Sequence, residues 1–195
     1  MTTAEILQYT GVVFWIIYLV LAVQENIWCW LFGIMASAVT VFNFFESKIY
    51  SEAFVNIYYI GAAIYGWNYW LKNRKNDTAQ SKAPVQIWSL KAHLIGYIST
   101  AIFALLLGFI LDKYTDSPRP YLDAATASFS FLTTFMEAHK VLTTWVNWFI
   151  INCFLVYLQI NRHLYPYAGL SAFFAIMSVR GFYNWRKSYY LLEKS

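Results

Sequence analysis

Gly66-Trp67-Asn68-Tyr69-Trp70 and Gly181-Phe182-Tyr183-Asn184-Trp185 stand 115 positions apart (181 − 66) and close two stretches of similar make-up. The same ungapped register sets Trp30 on Trp145, Tyr50 on Tyr165 and Ala53 on Ala168. Seven stretches, near residues 5–23, 27–45, 53–71, 92–111, 123–141, 144–160 and 167–186, read as long and apolar enough to cross a bilayer, which takes roughly 20 residues each. In this register the first three spans reappear, weakened, as the last three. Internally repeated membrane bundles suit small-solute carriers, because a substrate site can form between similar halves. Transport is the leading expectation.

Composition agrees. A hydrophobic share of 59%, a charged share of 12% and a mean hydropathy of +0.45 lie outside the soluble globular range. Seven spans consume most of the 195 residues. The expected organisation is one all-α integral membrane domain: a first three-helix repeat over 1–71, a linker and linking helix over 72–115, and a second repeat over 116–195. The N-terminus has no positive n-region and no cleavage pattern, so the first helix is expected to be retained. Cys29 and Cys153 lie inside apolar spans without a metal-ligand partner and read as free thiols.

The net charge of +4 invites a nucleic-acid reading, but the basic residues occupy short loops beside spans, where topology explains them. With the N-terminus outside, the inner side collects nine: Lys72, Arg74, Lys75, Lys82, Lys91, Lys140, Arg186, Lys187 and Lys194. The outer side holds four, Lys48, Lys113, Arg119 and Arg162, which favours N-out and C-in. Three helices plus one linking helix return the chain to its starting side. Both triplets then run the same way, a parallel repeat about the membrane normal, as in SWEET-type carriers. The clear linker runs from Lys72 to about Lys91, and its core, Asn76-Asp-Thr-Ala-Gln-Ser-Lys-Ala-Pro84, reads as polar and without a site.

Catalytic templates fail. His93, His139 and His163 sit near span ends or loops, and no Gly-rich phosphate loop, Gly-x-Ser-x-Gly elbow or His-Glu-x-x-His is present. Most acidic residues, such as Glu5, Glu25, Asp77, Asp112, Asp116 and Glu193, fall in or beside loops. No catalytic residue, cofactor or metal site is expected. Polar groups within spans carry more, because burying them unpaired is costly and a ligand can satisfy them. Trp148 and Asn152, four apart in span six, share a helix face and offer a stacking plate and an amide. The alternative is an amide bonded to a neighbouring helix. Span three offers Asn56, Tyr59 and Tyr65; Asn43 in span two and Gln159 in span six are further candidates. Arg180 is expected to snorkel to headgroups or to pair with Glu137.

The chain resembles the PnuC family of bacterial vitamin transporters over nearly its whole length. The resemblance rests on Gln24-Glu-Asn-Ile-Trp-Cys-Trp-Leu-Phe-Gly33, Ile64-Tyr-Gly-Trp67, Trp145-Val-Asn-Trp148-Phe-Ile-Ile-Asn152 and the closing Gly181-Phe-Tyr-Asn-Trp185. It implies a seven-helix fold like a full-length SWEET protein, two three-helix bundles joined by a linking helix, in a homotrimer with one pathway per protomer. It also implies uptake of nicotinamide riboside across the bacterial inner membrane by facilitated diffusion, with intracellular phosphorylation trapping the substrate. The family's Trp-x-x-x-Asn motif falls on Trp148 and Asn152 as ligand-binding residues. Two departures bear on substrate: Asn56 stands where nicotinamide riboside carriers of the family have Gln, and Arg180 precedes Gly181 where a small neutral or polar residue is usual. Relatives that carry thiamine or riboflavin, or a sugar-type carrier on the same scaffold, stay open. On this reading Trp148→Ala weakens binding far more than Trp15→Ala.

Overall fold

In a computed structural model, residues 3–46, 50–74, 82–115, 119–161 and 165–193 are described. Lys48, Lys75, Asp77, Asp116, Pro118, Arg162, His163 and Lys194, and the side chains of Glu5, Tyr50, Ala53 and Glu193, lie outside the described residues. Seven helices follow one another: α1 (Thr3–Val23), α2 (Cys29–Glu46), α3 (Tyr50–Lys72), α4 (Leu90–Tyr114), α5 (Pro120–Ala138), α6 (Thr144–Asn161) and α7 (Tyr165–Glu193). Local chemistry sets several ends. Ser89 caps α4 by accepting from the Ala92 amide at 3.3 Å, and Pro120 opens α5, where its missing N–H costs nothing.

Among the described residues only α4 passes on both length and hydropathy as a membrane span, at a mean hydropathy of 2.4; α1 and α2 contain shorter apolar runs, Tyr9–Val23 and Cys29–Asn43. The expectation that all seven stretches are long and apolar enough to cross is met on that criterion by α4 alone among the described residues. The other helices are diluted by Ser, Thr, Asn, Tyr and Trp, and many of these polar groups are buried inside the bundle. α4 is the opposite case: it buries only Thr100, Ala104 and Gly108, a stripe of small residues on one face. A Cβ on Gly108 would stand 2.5 Å from the Tyr121 ring, so that glycine sets how closely α5 approaches. Leu94, Ile98, Leu105, Leu106 and Phe109 of α4 are all more than half exposed. Bare apolar surface on this scale belongs in hydrocarbon or against a protein partner.

α1 and α3 pack on α2; α5 and α7 pack on α6; α4 packs on α5. The two groups of three meet where α3 lies on α5 and α1 on α7. At one end the repeat is reproduced bond by bond. Asn26 N–H donates to Leu21 O and Glu25 N–H to Ala22 O; Val141 donates to Met136 O and Lys140 to Glu137 O, all at 2.9–3.0 Å and all at register-equivalent positions. These are Schellman closures of α1 and α5, and the left-handed residue that usually is glycine is here Glu25 (φ 60°) or Lys140 (φ 54°).

Position 25 plus 115 is position 140, so the register places a carboxylate and an ammonium on equivalent turns, and the two pair at 2.7 Å. Four tryptophans surround the pair. Trp30 meets Trp70 at 5.4 Å, Trp145 meets Trp185 at 5.2 Å, and Trp70 meets Trp185 at 5.9 Å. A Cβ on Gly66 or Gly181 would lie about 2.5 Å from the Trp30 or Trp145 indole, so both glycines exist to admit a ring. Trp70 donates to Ala138 O and Trp185 to Ala22 O, each crossing between halves.

Two expectations change here. Lys140 is fully buried over the Trp70 and Trp185 rings, at 4.5 and 5.5 Å, and is not a loop cation facing headgroups. Removing it leaves eight basic residues against four, so the charge bias keeps its sign. The linker is not idle either. Gln86 exchanges backbone hydrogen bonds with Lys140 and Leu142 at 2.9 Å, Ala83 O accepts from Lys140 Nζ at 2.9 Å, and Ala83 and Val85 are buried. Residues 82–86 thus strap the α5–α6 turn.

Candidate functional site

Beyond the Trp30 and Trp145 rings lies a cavity of ≈ 270 Å³, walled by every helix except α4. Its lining is largely made of register pairs: Trp15 with Ser130, Leu19 with Thr134, Trp30 with Trp145, Gly33 with Trp148, Ser37 with Asn152, Tyr59 with Phe174 and Ala63 with Ser178. Equivalent residues from both halves face one space, so the cavity lies where the two repeats meet. Bulk is distributed unevenly across it. The first half supplies Trp15 and Tyr18 from α1; the second supplies Trp148 from α6, where its equivalent is only a glycine.

Gly33 has a purpose there. A Cβ at that position would come within 3.1 Å of the Tyr18 ring, so the missing side chain lets Tyr18 lie against α2. From that seat the Tyr18 hydroxyl donates to Glu137 Oε1 at 2.8 Å. Trp148 Nε1 donates to Glu137 Oε2, also at 2.8 Å. Glu137 is 1% exposed, and the nearby lysines Lys140 and Lys82 pair with Glu25 instead. The expected Arg180–Glu137 pair is absent among the described residues. Arg180 is exposed on α7, and two neutral donors hold the carboxylate.

Of the sequence candidates, Trp148, Asn152 and Tyr59 line the cavity. Asn152 Nδ2 donates to its own helix at Trp148 O (2.8 Å), leaving Oδ1 as the acceptor. Tyr59 meets Trp15 edge-on at 6.2 Å. Asn56 is buried one helical turn before Tyr59 and outside the lining. Tyr65 is 45% exposed, with its hydroxyl 3.0 Å from His139 Nε2, away from the cavity. Asn43 is half-buried on α2, about 9 Å of helix rise beyond Ser37, and does not line it. Gln159 accepts from Ser171, a lining residue, at 3.0 Å.

Sequence reasoning missed Glu137, Trp15, Tyr18 and Ser37. Trp15 therefore cannot serve as the remote ring against which Trp148 is judged. Glu137 falls within the expected span 123–141 and is read from the sequence only as a partner for Arg180, yet its register equivalent is the apolar Ala22. That mismatch was the available signal.

Three buried donors of the lining, Trp30 Nε1, Trp145 Nε1 and Ser37 Oγ, have no hydrogen-bond partner in the protein among the described residues. Each such group costs about 1–3 kcal/mol unless something in the cavity satisfies it. Aromatic faces, unspent donors, an amide oxygen and a carboxylate together suit a small, flat, polar-edged solute.

The family model described as nicotinamide mononucleotide transporter matches residues 5–187. The nicotinamide riboside transporter PnuC of Escherichia coli (strain K12) is 19% identical over 190 residues, covering 86% of this chain and 80% of that protein. Its namesake in Shigella flexneri gives the same figures. The crystal structure of the vitamin B3 transporter PnuC superimposes with a TM-score of 0.78 at 19% identity, over 94% of this chain and 81% of that one, and shares the fold. The chain belongs to the nicotinamide mononucleotide transporter family, the PnuC transporters.

Proposed function

We propose that this protein takes up nicotinamide riboside through the cavity between its two repeats, by facilitated diffusion, with intracellular phosphorylation trapping what enters. The single observation that carries the reading is the cavity itself, on the meeting line of the repeats, with Trp148 and Asn152 in its wall. Its ≈ 270 Å³ falls just below the roughly 300–1,000 Å³ of typical ligand pockets. A heteroaromatic ring with a hydroxylated appendage suits that space better than the three fused rings of riboflavin. Thiamine, also a heteroaromatic cation with a hydroxyl, is the second candidate.

Trp148 stacks on the ring, Asn152 Oδ1 accepts from a hydroxyl or carboxamide, and Tyr59 closes a side, with Asn56 behind it. The lining holds one carboxylate, Glu137, rather than a chain of them, which supports a carrier without proton or sodium coupling. The proposal extends to like-oriented three-helix halves joined by α4, to a homotrimer as the family resemblance implies, and to an inner-membrane chain with its N-terminus outside. Purified protein in liposomes should equilibrate labelled nicotinamide riboside, or thiamine, with no ion gradient. Flux that appears only with a sodium or proton gradient would refute facilitated diffusion. No flux of either vitamin would refute the substrate reading.

A further inference from the structure

Glu137 has no role in the reading above, and its surroundings are unusual. It is a buried carboxylate, the one charged side chain in a described lining otherwise made of aromatic, apolar and neutral polar groups. Its two oxygens accept from Tyr18 and Trp148, neither of which carries charge. Lys140 and Lys82 both pair with Glu25 and not with Glu137. A buried anion without a cation costs several kcal/mol, and two neutral donors offset only part of that. Both donors also line the cavity, so the carboxylate and two aromatic rings form one surface facing the same space. Trp15 stands edge-on to Tyr18 at 5.5 Å and Tyr18 to Trp30 at 6.3 Å, which extends the ring wall. Aromatic faces attract a positive charge through their quadrupoles, and more strongly where water is excluded. Rings alone favour a cation over a neutral heterocycle only modestly; a buried carboxylate beside them adds a full opposite charge and sharpens that preference.

We infer that Glu137 is the counter-charge for a permanently cationic ring, and that the cavity selects its substrate by that charge as well as by shape. This rests on the carrier reading of the same cavity. It narrows the substrate class to N-alkylated aromatic cations such as pyridinium or thiazolium. Glu137 also holds the Trp148 indole edge, so the same carboxylate fixes the stacking plate and charges it. Ionised Glu137 and a cationic substrate then neutralise each other on binding, and the complex that crosses carries no net charge at the site.

The test compares charged and neutral isosteres on the purified wild-type protein by calorimetry. Nicotinamide riboside is set against benzamide riboside, thiamine against 3-deazathiamine, and the bare rings 1-methylnicotinamide against nicotinamide. The cation of each binding pair should bind tighter by about tenfold or more. Glu137→Gln, which keeps the shape, lets its oxygen accept from Trp148 and turns its amide N–H toward the Tyr18 hydroxyl, should lower that ratio to the smaller preference the rings alone provide while the neutral member binds as before; Glu137→Asp should restore part of it. Equal binding of charged and neutral members by the wild type overturns the inference and leaves the carrier reading intact, as does a ratio unchanged in Glu137→Gln. Preference for 1-methylnicotinamide with neither vitamin bound would overturn the proposed substrates and uphold the counter-charge. Because the first comparison uses the wild type alone, a variant that fails to fold does not remove the test.

Discussion

Lys140→Met is the perturbation that most directly tests how the two halves are held. Lys140 Nζ reaches Glu25 Oε2 at 2.7 Å and Ala83 O at 2.9 Å, lies over Trp70 and Trp185, and is fully buried. Met fills the same space without charge, so the main consequence is a Glu25 carboxylate, 5% exposed, that has lost its buried cation. Breaking one side of such a pair costs about 3–5 kcal/mol. Lys82 stands 3.7 Å from the other Glu25 oxygen but is half exposed, and Ser188 also donates to it, which holds the loss near the lower end. About 3 kcal/mol corresponds to a fall of roughly 6–12 °C in melting temperature for a chain of this size. Glu25→Gln with Lys140→Met should recover most of it, because removing both charges is far less costly than stranding one. Intrinsic fluorescence in detergent is a suitable readout, since four of the nine tryptophans surround the pair. A single variant melting within about 2 °C of wild type, or a double variant no better than the single, would refute the reasoning.

Gly66→Ala and Gly181→Ala should each cost about 1–3 kcal/mol, because the added methyl meets an indole at about 2.5 Å; two similar falls in melting temperature are expected, and one tolerated glycine would break the structural equivalence of the repeats. Trp148→Ala should weaken vitamin binding by about 10- to 150-fold in calorimetry, from the lost stacking surface and cation–π attraction, whereas Trp88→Ala, outside the cavity lining, should leave it within about twofold. Gly33→Val should push the Tyr18 ring off α2 and lower affinity without unfolding the protein; unchanged affinity would separate Tyr18 from the site.

Helix number and order were legible because seven apolar-leaning stretches are separated by polar or proline-containing breaks, although only α4 reaches the hydropathy of a bare span, and the register because tryptophan and glycine recur at fixed spacing. α5 ends at Ala138 rather than near 141, since hydropathy does not reveal a left-handed turn at a lysine. Trp148 and Asn152 were found from helical spacing, which reports a shared face without saying what that face meets. Tyr65 and Asn43 passed the same test and face elsewhere, because a polar group in a span satisfies the pattern whether it meets a cavity, a histidine or another helix. The Glu25–Lys140 pair was hidden by local context, since charged residues near helix ends look like loop, and Glu137 was read as a partner for Arg180 because an acid and a base within spans invite pairing. The register applied position by position, setting Glu25 on Lys140 and Glu137 on Ala22, contains the information that span-by-span reading discards.

The opposed charges at positions 25 and 140 constrain what either half can do as a separate fragment. Two copies of the first fragment docked in the same way would bring carboxylate against carboxylate, and two copies of the second would bring ammonium against ammonium, each at a buried position. Self-association is thereby penalised and pairing of unlike fragments favoured. A duplicated scaffold built this way no longer works as two interchangeable parts, and co-expressed fragments should find each other rather than themselves.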